Sequence, residues 1–354
     1  MSLATEIDAQ LQSFYFLDKQ ELIEGVTTVL GDDIEAVVDT HNTPTVNFIF
    51  TTSSGSHFMK VGTAEDDAMR AEAAWYIDLP PEQEYTPPVQ GISIRDGYSF
   101  VLMDFLPNVD TLDDHLLVHR PILSVIQDGI TRAKAIDLEL FNSHKRGTLN
   151  DAASNSLYWN KFISRRREAA KFTYLDNFMT RDTIVINDVE YPGIDAAVNR
   201  IFADEGTLDY LLPRHVGKIH GDLHAGNILV PRDRARACVV DPNGSRSLPL
   251  EYDLGKLLHS VHGLYGFVMA GRYELNRLAG SRESYQFDIA TSRQLVGLPD
   301  LVIDGLSDRI ATSSLFNEAM HFATMLPHHA AERQETLALG MQAVRLLASL
   351  EERL

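Results

Sequence analysis

His220-Gly221-Asp222-Leu223-His224-Ala225-Gly226-Asn227-Ile228-Leu229-Val230 is the stretch that decides how this chain folds and what chemistry it can carry. A carboxylate, Asp222, and an amide, Asn227, stand in a polar loop between two apolar runs, Gly217 to Leu223 and Ile228 to Val230, each predicted to be a short strand. A third oxygen-bearing side chain, Asp241, closes the next apolar run, Ala237-Cys238-Val239-Val240. A lone Asp in a loop ordinarily makes a turn or a cap. Three such side chains in order, each beside an apolar run, point instead to a site whose groups are held still by the backbone. Carboxylate and amide oxygens are the hard ligands that magnesium prefers.

Upstream of that stretch the periodicity changes. Residues from about 19 to 32 read as a short helix closed by Gly31, and Ile34 to Val38 as a strand. Val46 to Thr51 and His57 to Val61 alternate apolar and polar residues around Ser53-Ser54-Gly55-Ser56, the pattern of a hairpin. Asp66 to Leu79 has helical spacing and stops at Pro80-Pro81. Ile92 to Ile94 and Tyr98 to Phe105 are two further strands. The first hundred residues are therefore predicted as β-β-β-α-β-β, and beyond Pro107-Asn108 the pattern turns helical. A hairpin, Thr183 to Tyr191, interrupts the helices, and everything beyond Tyr252 is predicted to be helical. The chain is thus read as α+β, with a boundary between residues 1–106 and 107–354.

Composition narrows the function classes. Fifty acidic against 31 basic side chains give a formal charge of −19, which opposes a phosphate backbone and argues against a nucleic-acid partner. The single cysteine, Cys238, leaves no internal disulfide and no multi-cysteine metal site. No apolar run is long enough to cross a bilayer, and the N-terminus lacks a signal-like pattern, so a cytoplasmic protein is expected. Oligomeric state leaves no mark in the sequence.

The H-G-D-x-H-x-x-N loop followed by Val239-Val240-Asp241 resembles the aminoglycoside phosphotransferase and choline kinase group, and the Asp222 to Asn227 spacing is that of the protein-kinase catalytic loop. The resemblance implies a two-lobed protein-kinase-like fold, with a small antiparallel β-sheet lobe carrying one helix and a larger, mainly helical lobe, and with ATP and Mg2+ between them. It implies that Asp222 orients the acceptor hydroxyl and takes its proton late, and that Asn227 and Asp241 ligate magnesium. His220 fixes the backbone of the loop, and Asp253, in Tyr252-Asp253-Leu254-Gly255-Lys256-Leu257, anchors it. In the small lobe Lys60, within Phe58-Met59-Lys60-Val61, meets the nucleotide phosphates and Glu72 positions it, with Glu65 as the alternative. Main-chain groups of Asp104, Phe105 and Leu106 face the adenine. One departure stands out: Thr40 to Thr45, where relatives carry a glycine-rich turn, has no glycine, so Thr40, Asn42 and Thr43 become the phosphate contacts. His224 is undecided. The pair His259 and His262 suits packing or substrate contact better than a metal, lacking a third ligand. The Asp241-Pro242-Asn243-Gly244 turn and Leu326-Pro327-His328-His329 look like kinase-like proteins of bacterial surface-polysaccharide clusters.

The expected activity is transfer of the γ-phosphoryl group of ATP to a hydroxyl of a small molecule, a sugar or sugar-like metabolite. An aminoglycoside or other cationic alcohol is the alternative acceptor, suggested by the negative charge. A nucleotide-binding protein without catalysis is the alternative class, suggested by the glycine-free turn.

Overall fold

The computed structural model describes residues 34–39, 46–52, 55–63, 66–80, 84–94, 98–118, 121–144, 147–232, 236–244, 247–278 and 284–354. The helix expected over residues 19 to 32 lies outside them. Contacts group the chain into two units, one of Met1–Asp110, His220–Asp222 and Asn227–Arg246, the other of Thr111–Ile219, Leu223–Gly226 and Ser247–Leu354.

The first unit is built on an antiparallel five-stranded sheet. In chain order its elements are β1 (Ile34–Asp39), β2 (Val46–Thr52), β3 (Gly55–Thr63), α1 (Asp67–Ile77), β4 (Val89–Ile94) and β5 (Tyr98–Asp104), and the strands lie in the order β1-β2-β3-β5-β4. This is the expected β-β-β-α-β-β succession. Phe48, Met59 and Leu102 pair across three neighbouring strands and are all buried, as alternation along each strand requires. Helix α1 starts at Asp66, whose carboxylate accepts the Met69 N–H at 3.0 Å. Met69, Glu72, Ala73 and Tyr76 form its buried stripe. A three-stranded sheet completes the unit, with Ile228–Pro231 lying between Cys238–Val239 and β6 (Val109–Thr111).

The second unit is mainly helical. Its longer helices are α2 (Leu123–Ser143), α3 (Lys161–Ala169), α4 (Leu250–Val261), α5 (Asp308–Met325) and α6 (Arg333–Glu351). Helix α5 packs on α3, α4 and α6, and residues 312 to 324 are buried along it. Helices α4 and α5 approach closely because Gly255 has no side chain: a Cβ there would lie 2.6 Å from Asn317 Cβ and 2.9 Å from the Glu318 backbone nitrogen. Gly255→Ala gains about 1 kcal/mol of helix propensity. Overlap with a backbone atom outweighs that, so a net loss of about 1–2 kcal/mol is expected in urea unfolding.

Two expectations need correcting. The chain beyond Tyr252 is not wholly helical: Tyr273–Arg277 and Ser284–Ile289 form a hairpin, which joins the expected one, Thr183–Ile186 and Val189–Pro192, in a four-stranded sheet. Along Ser284–Ile289, buried Tyr285 and Phe287 alternate with exposed Gln286 and Asp288, and Ser284 and Tyr285 pair with Val185 and Ile186. Nor is Gly217 to Leu223 a strand. Gly217 makes an isolated bridge to Leu248, after which Gly221, at φ 86°, breaks the extended course. Among the described residues no helix is long and apolar enough to cross a membrane.

Candidate active site

Lys60 lies on β3, opposite Asn47 and Val101, and its Nζ donates to Glu72 Oε2 at 2.7 Å and to Asp241 Oδ1 at 3.1 Å. The strand supplies the lysine, the buried stripe of α1 supplies the glutamate, and the residue after Val240 supplies the aspartate. Asp241 has φ 57°, a left-handed backbone that Asp tolerates better than most residues. Gly244, closing the same turn, sits against α1, where a Cβ would fall 2.1 Å from the Ala71 carbonyl oxygen. Glu65 lies outside the described residues, as do Thr40, Asn42 and Thr43.

Burial lowers the Lys60 pKa, but the Glu72 and Asp241 carboxylates outweigh it and hold the ammonium above its usual value. Burial pushes the Glu72 carboxyl up to about 7, against the pull of Lys60. The folded state therefore holds an extra proton between the ordinary glutamate pKa of 4.5 and about 7. The stability this confers is complete below the lower value and is lost as pH rises through the upper one. Ionised Glu72 is the form that fixes Lys60 most strongly, so the hold on Lys60 tightens as pH rises through about 7. Urea unfolding followed against pH is expected to show this loss of stability around pH 7, and Glu72→Gln should flatten that profile.

The catalytic-loop stretch is tied down by its own side chains. His220 is fully buried, and its Nε2–H donates to the Val240 carbonyl at 2.9 Å. Nδ1 is then the accepting nitrogen and takes the Asp222 N–H at 3.3 Å. That arrangement needs neutral imidazole, which suits bracing and not proton transfer. Trp75 meets the His220 ring edge-on at 5.9 Å. Asn227 Nδ2 donates to the Asp222 carbonyl at 3.0 Å, which leaves Oδ1 as its accepting atom. The Asn227 carbonyl in turn accepts the Val240 N–H at 3.0 Å, and the Asn243 N–H reaches the His220 carbonyl at 2.9 Å. Asp222, Asn227 and the Asp241 turn are thus joined by short bonds within the first unit.

In the second unit, the intervening segment Leu223–Gly226 is fixed to α4. Leu223 N–H donates to the fully buried Asp253 at 3.2 Å, and Ala225 N–H to Ser260 Oγ at 2.9 Å. His224 Nδ1 accepts the Gly226 N–H at 3.1 Å. Asp253 and Ser260 are two turns apart on one helix face, so the spacing that marks Asp253 could also have marked Ser260. Asp253→Ala removes the acceptor of a buried amide and is expected to cost about 2–3 kcal/mol, read by urea unfolding.

At the end of β5 two of three successive amides are already bonded. The Asp104 N–H is spent on the Pro88 carbonyl at 2.8 Å and the Phe105 N–H on the Ser56 carbonyl at 2.9 Å, so Leu106 supplies the remaining amide of the three. Leu106 also lines a groove of about 1270 Å³ with Tyr76, Pro88, Val109 and Cys238, a groove that Lys60, Glu72 and Asp241 do not border. His259 and His262 do not share a ligand site: His259 stacks on Tyr265 at 4.4 Å and His262 bonds Glu318 at 2.8 Å. Among the described residues no three His, Cys, Asp or Glu side chains gather as a metal cluster.

Residues 187–285 match the model of the phosphotransferase enzyme family. No curated protein matches the sequence. Among solved structures, the choline kinase LicA from Streptococcus pneumoniae is similar over 94% of this chain and 99% of its own, with a TM-score of 0.51 and 13% identity. An aminoglycoside phosphotransferase APH(4)-Ia variant, in ternary complex with AMP-PNP and hygromycin B, is similar over 93% and 97%, with a TM-score of 0.53 and 12% identity. A putative aminoglycoside phosphotransferase from Ralstonia eutropha is similar over 94% and 97%, with a TM-score of 0.50 and 14% identity. The chain shares the fold of these phosphotransferases, and the residues matched by the family model include Asp222, Asn227 and Asp241.

Proposed function

We propose that the chain is an ATP-dependent phosphotransferase that moves the γ-phosphoryl group to a hydroxyl of a small molecule, a sugar or sugar-like metabolite. The observation that carries this is the ion chain Glu72–Lys60–Asp241, with contacts of 2.7 and 3.1 Å, formed from residues far apart in sequence and set beside a braced Asp222 and Asn227. Phosphoryl transfer asks little covalent chemistry of a protein and much positioning and charge stabilisation. Lys60, held by Glu72, meets the nucleotide phosphates. Asp222 accepts the hydrogen bond of the acceptor hydroxyl and takes its proton late. The Leu106 N–H meets the adenine edge.

Asn227 and Asp241 would hold Mg2+, and both fit it. The Asn227 amide is turned so that its oxygen is the accepting atom, and the Asp241 side chain is 53% exposed, within reach of a ligand. Bound magnesium neutralises charge on the phosphates as they react. Residues 1–106 form the nucleotide-binding lobe in this reading and 107–354 the acceptor-binding lobe, in a cytoplasmic enzyme with access to ATP.

Thermal-shift titration with ATP and magnesium, followed by a transfer screen over sugars and aminoglycosides, tests the reading. Stabilisation with turnover of a sugar supports it. Stabilisation without turnover of any acceptor favours the nucleotide-binding protein that the glycine-free Thr40 to Thr45 suggests, and no stabilisation removes both.

A further inference from the structure

Glu318 places a carboxylate in the middle of α5 with no exposure to solvent. Taking that charge out of water is costly, and an apolar side chain of similar size would fill the place without the cost. Its partner is His262, the residue on which α4 ends: the ring Nδ1–H donates to Glu318 Oε2 at 2.8 Å. A protonated ring there also stands at the C-terminal end of α4, where a helix favours positive charge.

The geometry of α4 shows what this pair controls. Successive helical residues are about 100° apart, so positions seven apart share a face and positions two apart lie nearly opposite. Gly255 and His262, seven apart, both meet Glu318. Gly255 lies against its backbone nitrogen, which a Cβ would approach to 2.9 Å, and His262 holds its carboxylate. Asp253 and Ser260, also seven apart, lie on the other side of α4 and take the Leu223 and Ala225 N–H groups at 3.2 and 2.9 Å. One side of α4 is therefore set against α5 at Glu318, while the other carries the segment that joins Asp222 to Asn227. The end of α4 is held from α6 as well, because Gln342 Nε2 donates to the Gly263 carbonyl at 2.9 Å. Apolar contact lets one helix slide a little along another, whereas a charged hydrogen bond fixes a point, and setting registry is the best-attested use of a buried polar pair.

The charges around the pair favour its ionised form. Burial lowers the His262 pKa, but the Glu318 carboxylate outweighs it, with Arg353 opposing and Asp300 assisting, so the ring is held above its ordinary 6.5. Asp300 lies on Leu298–Ile303 and Arg353 beyond α6, while Lys134, on α2, is spent on the Leu301 and Asp304 carbonyls at 3.1 and 2.6 Å. Burial raises the Glu318 carboxyl, against the pull of His262. What the His262 proton contributes is complete below 6.5 and is lost as pH rises through the raised value.

We propose that Glu318 and His262 are positioning residues for phosphoryl transfer: together they fix where α4 lies along α5, and α4 fixes Leu223 and Ala225 in the loop between Asp222 and Asn227. The inference rests on the phosphotransferase reading above and extends that site to two residues that touch neither substrate.

The test replaces the pair by apolar side chains of similar volume, Glu318→Met together with His262→Leu, in the full chain. Urea unfolding should show stability kept or improved. Turnover should nevertheless fall at least about tenfold in kcat, with KM nearly unmoved, for the acceptor found by the transfer screen, since a small misplacement of a reacting group costs rate and not binding. Hydrogen exchange reads the same displacement without turnover: protection of the Leu223 and Ala225 amides should fall about tenfold. A stable double variant with wild-type kcat, or with unchanged protection at those two amides, overturns the inference. Glu318→Gln, which keeps an acceptor for His262, serves where the apolar pair fails to fold. Corrected for base catalysis, wild-type protection at Leu223 and Ala225 should fall as pH rises above 6.5, and that of Glu318→Gln should stay level. The same pH profile in both proteins also overturns the inference. Absence of turnover in the wild type would overturn the phosphotransferase reading, and the exchange results would still decide whether the pair positions the loop.

Discussion

Lys60→Met is expected to lower kcat/KM for phosphoryl transfer by about 10²–10³-fold, the scale set by removing one charge-stabilising donor from a reacting centre. The same change leaves Glu72 buried without its 2.7 Å partner and Asp241 without its 3.1 Å one. Breaking a buried pair ordinarily costs about 3–5 kcal/mol. Here the loss is held to about 2–3 kcal/mol, because Glu72, already pushed up to about 7, can take a proton in place of its ammonium partner. The two effects separate in the double variant Lys60→Met/Glu72→Gln, which removes the orphaned charge along with the lysine. Urea unfolding should show most of the stability restored, while ADP release stays at the level of the single variant. Recovery of turnover in the double variant would mean that Lys60 acts only as a neighbour of Glu72 and not on the phosphates.

Asp222→Asn should reduce transfer by about 10³–10⁴-fold, the upper range for losing a positioned proton acceptor. Its effect on stability should stay near about 1 kcal/mol or less, since the substitution is isosteric and keeps the backbone bonds of this residue. The Asp222 N–H goes to His220 and the Asp222 carbonyl takes the Asn227 amide, and neither involves the carboxylate. Stabilisation by ATP and magnesium should therefore persist. This contrast between lost transfer and kept nucleotide binding is the signature of a group that acts on the acceptor.

Much of this was readable before any coordinates, and the residues show why. Alternating apolar positions such as Phe48, Met59 and Phe100 mark half-buried strands whatever their neighbours, so the β-β-β-α-β-β order follows from local pattern. The Lys60, Glu72 and Asp241 triplet was legible only through the resemblance, because no local spacing links a strand lysine to an aspartate 181 residues away. The hairpin Tyr273–Arg277 and Ser284–Ile289 escaped because Ser284–Ile289 is stabilised by pairing with Thr183–Ile186, about a hundred residues earlier, a non-local partner that no window along the chain contains. Which amides the end of β5 leaves over was not legible either, because it depends on Pro88 and Ser56, partners distant along the chain.

The central claim is that this chain transfers a phosphoryl group to a small hydroxyl compound with Asp222 at the reacting centre. Phosphorus NMR of the protein incubated with ATP, magnesium and a mixture of neutral, acidic and amino sugars tests it directly. The account predicts a new phosphate-monoester resonance that grows as ATP is converted to ADP, and its absence when Asp222→Asn replaces the wild type. An unchanged ATP spectrum with the wild type, or an ester formed equally fast by Asp222→Asn, would contradict it.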